Sequence, residues 1–429
     1  MNRRAAWLVG LNIAIPGSAQ LIAGNRRFGR FAVSTTFVLW ALVVLGVILW
    51  FVARFAIYAV VTSMVGLTVL QLLLAAYAVL WVVLALDTLR LARLIKISRE
   101  LRAALAVVAI GAVVLTAGTA GYAAASAGSA RSAIAKIFTA TATVAPTDGR
   151  YNIMLLGGDA GPDRTGLRPD SLSVASVDAT TGKTTIIGIP RNTERVRFVA
   201  GSPLYGPFPD GYDCGDLCLI DYLYTYGEEH PDLYPKATAQ GSSSGIEAMR
   251  DAAEGMLGIK IQFYALIDMQ GFADLVDALG GVEIDVPAAL PYGPVTSTRP
   301  IGVFQQGEQH MNGASALWYA RSRFDGNDYE RMARQRVVQQ AIIAQFQPSV
   351  VLSKFQAIAA AGAQVVKTNV PSSMLPFFVD LADKGRKLPV TDLELVPPTF
   401  NPAYPDYAAI DAAVQAAIAP ITSSPSPSR

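Results

Sequence analysis

The sequence predicts an α/β protein: a layered domain with a mixed central sheet flanked by helices, preceded by an N-terminal bundle of transmembrane helices. Three features lead there. Long uncharged apolar runs are confined to residues 1–125. Beyond residue 150, short β-branched segments alternate with capped amphipathic ones, the pattern of strands and helices packed in layers. The length of 429 residues leaves that second part enough chain for a sizeable core.

The run "FAVSTTFVLWALVVLGVILWFVA" (31–53) has no charged residue and is long enough to cross a bilayer. Residues 57–86 and 103–125 form two more such runs. Between them, "DTLRLARLIKISRELR" sets Arg90, Arg93, Lys96, Arg99 and Arg102 against Asp87 and Glu100. The positive-inside tendency places this loop in the cytoplasm, and "NRRFGR" (25–30) falls on the same side. The third run then leaves the cytoplasm, so the remainder is expected to lie outside. The stretch "AWLVGLNIAIPGSAQLIAG" (6–24) has basic residues at both flanks, which asks for both ends inside. Pro16–Gly17 at its middle favours a re-entrant or interfacial hairpin over an additional span. Residues 126–149 turn small and polar, as an extracytoplasmic linker would, helical at first.

Composition removes several function classes. A formal net charge of +2 gives no basic field for nucleic acid. Two cysteines and two histidines argue against a Cys/His zinc site. With so little histidine, general-base chemistry falls to a carboxylate or to the substrate.

The outer domain opens on a buried strand, 151–156, that ends in Gly157–Gly158 and Asp159. Strands follow at 172–177 and 184–189, joined by the turn "DATTGK". "GSSSGIEAMRDAAEGMLGI" reads as a helix with Ser243 or Ser244 as its cap. "QFYALIDM" reads as a strand, "QGFADLVDALGG" as a helix closed by glycine, and "VEIDVP" as a strand. Active groups on such a domain belong on loops at one sheet edge.

Several residues suit that edge. Asp159 follows a strand beside two glycines that admit a ligand to the backbone. Arg168 and Asp170, two apart, face the same way in an extended segment. Arg191 follows the strand stopped by Pro190. "ALWYARSR" is expected to be a strand with Arg321 and Arg323 on one face. "DYERMARQRVVQQAII" is expected to be a helix with Asp328, Arg331 and Gln335 on one stripe and Arg334 a turn away. Arginine forks stay charged and grip phosphate bidentately, so the cluster suits phosphate or pyrophosphate. Asp159 and Asp170 would supply oxygen to a hard cation bridging it. Spacing alone equally allows ordinary helix ion pairs, Asp328 with Arg331 or Arg334 and Glu330 with Arg334.

The ordered motifs "IMLLGGD", "LRPDS", "IGIPRN", "IDMQGFADLVDALGGVEIDVP", "HMNGASALWYARSR" and "NDYERMARQR" resemble the LytR-CpsA-Psr (LCP) family of bacterial cell-wall enzymes, over an expected catalytic domain of residues 150–415. The resemblance implies a multi-pass membrane anchor with the catalytic domain outside the cell. It implies a phosphotransferase that moves a glycopolymer from a polyprenyl-pyrophosphate carrier to peptidoglycan through a phosphodiester, with pyrophosphatase activity as a side reaction. Magnesium, or manganese, is the metal it implies, with Asp159 and Asp170 as ligands. Arg168, Arg191, Arg321 and Arg323 fall on the pyrophosphate-binding arginines, and Asp328, Arg331 and Gln335 on the helix set, with Arg334 beside them. We expect Arg321, Arg323, Asp328 and Arg331 to act in catalysis, and Arg168, Arg191, Arg334 and Gln335 in substrate binding. Two positions depart from the family pattern: Pro169 stiffens the loop between Arg168 and Asp170, and Asn192 replaces an aspartate after "PR". A polyprenyl-pyrophosphate phosphatase and a non-catalytic cell-envelope regulator are the alternatives. DNA binding fits poorly with a domain outside the cell.

The family also has a long apolar pocket for the lipid tail. "FADLVDAL" and "VVQQAIIAQF" would line it here or else be core. "CGDLC" places Cys214 and Cys218 four apart in a loop expected outside the membrane, where a local disulfide is favoured. The aromatic segment around it is either an acceptor-sugar surface or a structural loop. His310 is expected in a turn, and residues 416–429 in a disordered tail.

Overall fold

In the computed structural model the chain divides into two units, residues 1–132 and 133–429. The structure describes residues 2–93, 98–138, 142–159, 168–215, 218–294, 299–324, 326–345 and 366–419.

In the first unit, α1 (Asn2–Ala14) and α2 (Ser18–Ala23) form a helical hairpin, each arm too short to cross a bilayer. The turn needs Gly17: its φ is +94°, and a Cβ there would lie 2.6 Å from that of Ala32. α3 (Arg26–Val52) is capped by the Asn25 side chain, which accepts from the Arg27 and Phe28 amides. The run expected as one helix over 57–86 is instead two, α4 (Arg54–Thr62) and α5 (Met64–Leu91). Ser63 is extended and its hydroxyl caps the second helix at Gly66, a polar break that hydropathy averaging passes over. α6 (Arg99–Ile137) carries the third run well into the stretch expected as linker. α3, α5 and α6 are long and apolar enough to cross a membrane. The Gln20 amide ties the hairpin to α5, donating to the Leu84 carbonyl and the Thr88 hydroxyl, both at 3.0 Å.

The second unit is built on β1 (Arg150–Asp159), β2 (Arg168–Asp178), β3 (Thr184–Ile189), α7 (Tyr222–Glu229), α8 (Ser244–Leu257), β4 (Phe263–Asp268) and α9 (Met269–Leu279). A smaller lobe follows, with β5 (Val282–Val286), β6 (Leu290–Tyr292), β7 (Gly302–Phe304), β8 (Gly307–Met311), α10 (Gly313–Arg321) and α11 (Asp328–Gln345). The chain then returns through β9 (Val366–Thr368), α12 (Leu375–Gly385), β10 (Thr391–Glu394) and α13 (Tyr407–Ile418). The central sheet is six-stranded and mixed, in the order β10-β3-β2-β1-β4-β9. β1–β2 and β2–β3 pair antiparallel, whereas β4 joins β1 and β10 joins β3 in parallel.

Alternation along the strands sends Met154, Leu156, Leu172, Val174, Ile187 and Ile189 into one core with α8 and α13. Tyr151 and Phe263 pack on the other face against Phe377 and Phe378 of α12. Helices thus cover both sheet faces. α7 and α8 cross so closely that a Cβ on Gly227 would lie 2.6 Å from the Ser244 carbonyl oxygen, and one on Gly245 would lie 2.5 Å from that of Tyr224. Ser243 caps α8 by accepting from the Ile246 amide.

Three expectations need correction. "ALWYARSR" is helical, not a strand: Asn312 caps α10 by accepting from the Ser315 amide, and Ala316, Tyr319 and Ala320 form its buried face. His310 lies in β8 rather than a turn, its ring 2.6 Å from Glu283 on the paired strand. α13 runs to Ile418, past the expected start of the tail, of which residues 420–429 lie outside the described residues. Val276 and Val338, from the segments that would line a lipid pocket, are fully buried in the core of the smaller lobe. Phe346 lies outside the described residues.

α11 is fixed to the sheet by charge. Arg336, 3% exposed, meets Glu394 of β10 at 2.9 Å. Removing one partner of such a pair strands the other away from water. Glu394→Ala is expected to lower stability by about 3–5 kcal/mol, measured by denaturant unfolding of the full chain. The double change Arg336→Met, Glu394→Leu is expected to recover most of that loss.

Candidate active site

The antiparallel register of β2 and β3 ends with Leu172 opposite Ile189, so Asp170 and Arg191 emerge together at the same end. Their side chains pair at 2.6 Å. At that end β1 terminates too, with Asp159 opposite Arg168 in the β1–β2 register. α11 presents its N-terminal turn to this edge. Asp328 accepts from Arg191 at 3.2 Å, from Arg323 at 3.3 Å and from Arg331 at 3.0 Å. Arg331 also donates to the Asp170 carbonyl at 3.0 Å. Three guanidiniums from separate segments therefore meet on one carboxylate, with Asp170 alongside.

Burial shapes their electrostatics. Arg331 is 4% exposed. Desolvation lowers its pKa, opposed by Asp328 and Asp170 and aided by Arg191 and Arg323. Arg191 is also desolvated, but Asp328, Asp170 and Asp221 outweigh that and raise its pKa. A guanidinium is not deprotonated in proteins, so both carry a positive charge at neutral pH.

The other expected residues fall around this knot. Arg168 lies over the Tyr222 ring, 4.0 Å from its centroid. Arg323 sits in the link after α10, while Arg321 ends that helix with its side chain exposed, so the two do not share a strand face. Arg334 turns back to donate to the Ser322 carbonyl. Gln335 has its Oε1 buried with no hydrogen-bond partner among the described residues. The Asp159 side chain and residues 160–167 lie outside the described residues. Asn192, where the family pattern expects an acid, likewise has a buried Oδ1 without a described partner.

For a metal, the described residues hold no group of three or more His, Cys, Asp or Glu side chains. A magnesium ion is commonly held by one or two carboxylates plus waters and substrate phosphates. Asp170 is at the arginine knot, and the backbone of Asp159 ends on the adjacent strand, so the pair has the chemistry for such a site.

Sequence reasoning missed one residue. Asp221, at the N-cap position of α7, is 7% exposed and makes no side-chain cap. Its amide donates to the Arg191 carbonyl at 3.3 Å, and the Ile220 amide donates to that of Thr193 at 2.9 Å. Burial pushes its carboxyl up to about 6, with Arg191 and Arg168 pulling it down and Asp170 pushing it up. The available signal was an aspartate–tyrosine pair opening a helix three residues after Cys218. Cys214 and Cys218 themselves are joined as a disulfide.

The LytR_cpsA_psr family model matches residues 116–396, and the chain belongs to that family. It is 28% identical over 205 residues to the polyisoprenyl-teichoic acid–peptidoglycan teichoic acid transferase TagV of Bacillus subtilis, covering 47% of this chain and 45% of that one. It is 28% identical over 245 residues to biofilm regulatory protein A of Streptococcus mutans, covering 54% and 53%. The chain thus spans about half the length of these relatives. The crystal structure of B. subtilis TagV superposes with a TM-score of 0.45 at 23% identity, over 63% of this chain and 96% of that one.

Two outcomes test the site. Asp328→Ala leaves Arg191, Arg323 and Arg331 facing one another, and is expected to cost about 2–4 kcal/mol. Added inorganic pyrophosphate should then raise the thermal unfolding midpoint more in the variant than in the parent. For Asp221, the folded carboxyl at about 6 lies above its ordinary value of 3.8. Folding therefore favours its protonated form, and that stability is full below pH 4 and lost as pH rises through 6. Relative to the parent, Asp221→Asn is expected to gain stability between pH 4 and pH 7, as followed by unfolding midpoints across that range.

Proposed function

We propose that this chain is a membrane-anchored phosphotransferase that moves a glycopolymer from a polyprenyl-pyrophosphate carrier onto a hydroxyl of peptidoglycan, working outside the cell. One observation carries the reading: Arg191, Arg323 and Arg331 converge on Asp328 beside Asp170. A diphosphate offers the same guanidiniums more acceptor oxygens than Asp328 does, in a site already partly desolvated. The names of the teichoic acid transferases among the relatives support the reaction class. An extracytoplasmic site is supported by the three candidate spans before the domain, by the arginine-rich loop between the last two, and by the Cys214–Cys218 disulfide.

In this reading Arg191, Arg323 and Arg331 exchange carboxylate partners for phosphate oxygens as the carrier binds. Arg168, stacked on Tyr222, and Arg334 flank them. Gln335 completes the helix stripe. Asp170 and Asp159 would hold magnesium, which when bound supplies further neutralisation of the diphosphate. The arginines stabilise the charge that grows on the departing polyprenyl phosphate while the acceptor hydroxyl attacks in line.

The test uses the full chain in detergent with a polyprenyl pyrophosphate carrying a labelled glycan, and peptidoglycan as acceptor. Label is expected to become covalently attached to peptidoglycan, and Arg323→Ala to slow attachment by about 100-fold. Release of labelled sugar phosphate without attachment would make the chain a phosphatase instead. No turnover of the carrier at all would remove the catalytic reading.

A further inference from the structure

The loop leading into α7 brings a carboxylate to the arginine knot that the mechanism above leaves unused. Asp221 Oδ1 is buried and has no hydrogen-bond partner among the described residues. Its side chain does not cap the helix it opens. The backbone holds it in place: Asp221 and Ile220 bond to the carbonyls of Arg191 and Thr193, and the next residue, Tyr222, lies under Arg168. Asp221 is therefore fixed against two arginines proposed to grip the diphosphate, with an acceptor atom awaiting a donor. A buried acceptor without a donor is costly, and a ligand hydroxyl is a donor of the right kind.

Among the described residues, the two other carboxylates at the knot, Asp328 and Asp170, already have cationic partners. Asp328 is shared by three guanidiniums, and Asp170 is paired with Arg191. Resting on the transferase reading, we propose that Asp221 is the general base of the transfer, accepting the hydrogen bond of the acceptor hydroxyl at Oδ1 and taking its proton. The hydroxyl oxygen forms its bond to the sugar-side phosphorus. The bond from that phosphorus to the bridging oxygen breaks, and polyprenyl phosphate leaves with the electron pair. The proton stays on Asp221 until it passes to solvent. The charged and titratable groups coupled to Asp221 are Arg191, Arg168, Asp170 and Tyr212, and burial makes its carboxylate more basic than usual while leaving it mostly ionised at pH 7.

The experiment compares the full-length parent with Asp221→Asn and Asp221→Glu, using the labelled polyprenyl-pyrophosphate glycan and peptidoglycan. It reads kcat, KM for the carrier, calorimetric binding of the carrier, and the thermal unfolding midpoint. Asp221→Asn is expected to lose about 100-fold or more in kcat. KM and carrier affinity should stay within about threefold, and Asp221→Glu should recover at least a tenth of parental kcat with no fall in unfolding midpoint for either variant. An Asn variant within about threefold of parental kcat overturns the base role, as does a loss carried by KM and carrier binding. A Glu variant as inactive as Asn, with both midpoints lowered, assigns Asp221 to structure and also overturns it. A parent that binds carrier but attaches no label overturns the transferase reading, and the base role with it.

Discussion

One carboxylate, that of Asp328, holds together three guanidiniums that arrive from β3, from the link after α10 and from α11 itself. Each of those segments is placed by its own packing, but the cations could not sit this close without an anion among them. Like charges at such distances in a partly desolvated edge repel strongly, and Arg331 has almost no solvent to screen it. Asp328 thus neutralises the knot from within the chain. In the reading proposed above, a ligand with more negative oxygens than Asp328 exchanges one set of charge-assisted bonds for a richer one.

The fold supports that knot from below and from the side. α11 is anchored at its middle by Arg336 and Glu394, which ties the Asp328 turn to the β3–β10 edge of the sheet. The strand ends supply Asp170 and Arg191 through an antiparallel register that resists slipping, since Leu172 and Val174 after Asp170 and Ile187 and Ile189 before Arg191 alternate into the main core. α7 reaches the same edge because Gly227 and Gly245 let it cross α8 at backbone contact distance. The charged side chains thus gather beyond the carboxyl ends of β1 and β3, where layered α/β folds place their crevices.

Family membership narrows the chemistry without dictating it. Relatives of similar identity bear the names of a teichoic acid transferase and of a biofilm regulatory protein, and each shares about half its length with this chain. The proposed phosphoryl-transfer reading rests on the residues themselves: several arginines sharing one anion, buried acceptors on Gln335 and Asp221 with no hydrogen-bond partner among the described residues, and an aromatic face beneath Arg168.

By itself the sequence determined the periodic elements and their chemistry. Uncharged runs marked the apolar helices because a bilayer demands length without charge, and strand alternation marked the sheet because one residue in two must face a core. The arginines and aspartates could be named from motif spacing. Tertiary structure decided what local pattern cannot carry. Arg321 and Arg323 were read on one strand face, yet the Asn312 cap and the buried Ala316, Tyr319 and Ala320 stripe make a helix whose end separates them. Asp328 could have been an ordinary helix partner of Arg331, and it is; that it also holds Arg191 and Arg323 depends on sheet register and lobe packing. The local pattern around Asp221 could not tell of its burial, because desolvation is a property of neighbours distant in the chain, and only folding brings Arg191, Arg168 and Asp170 around it.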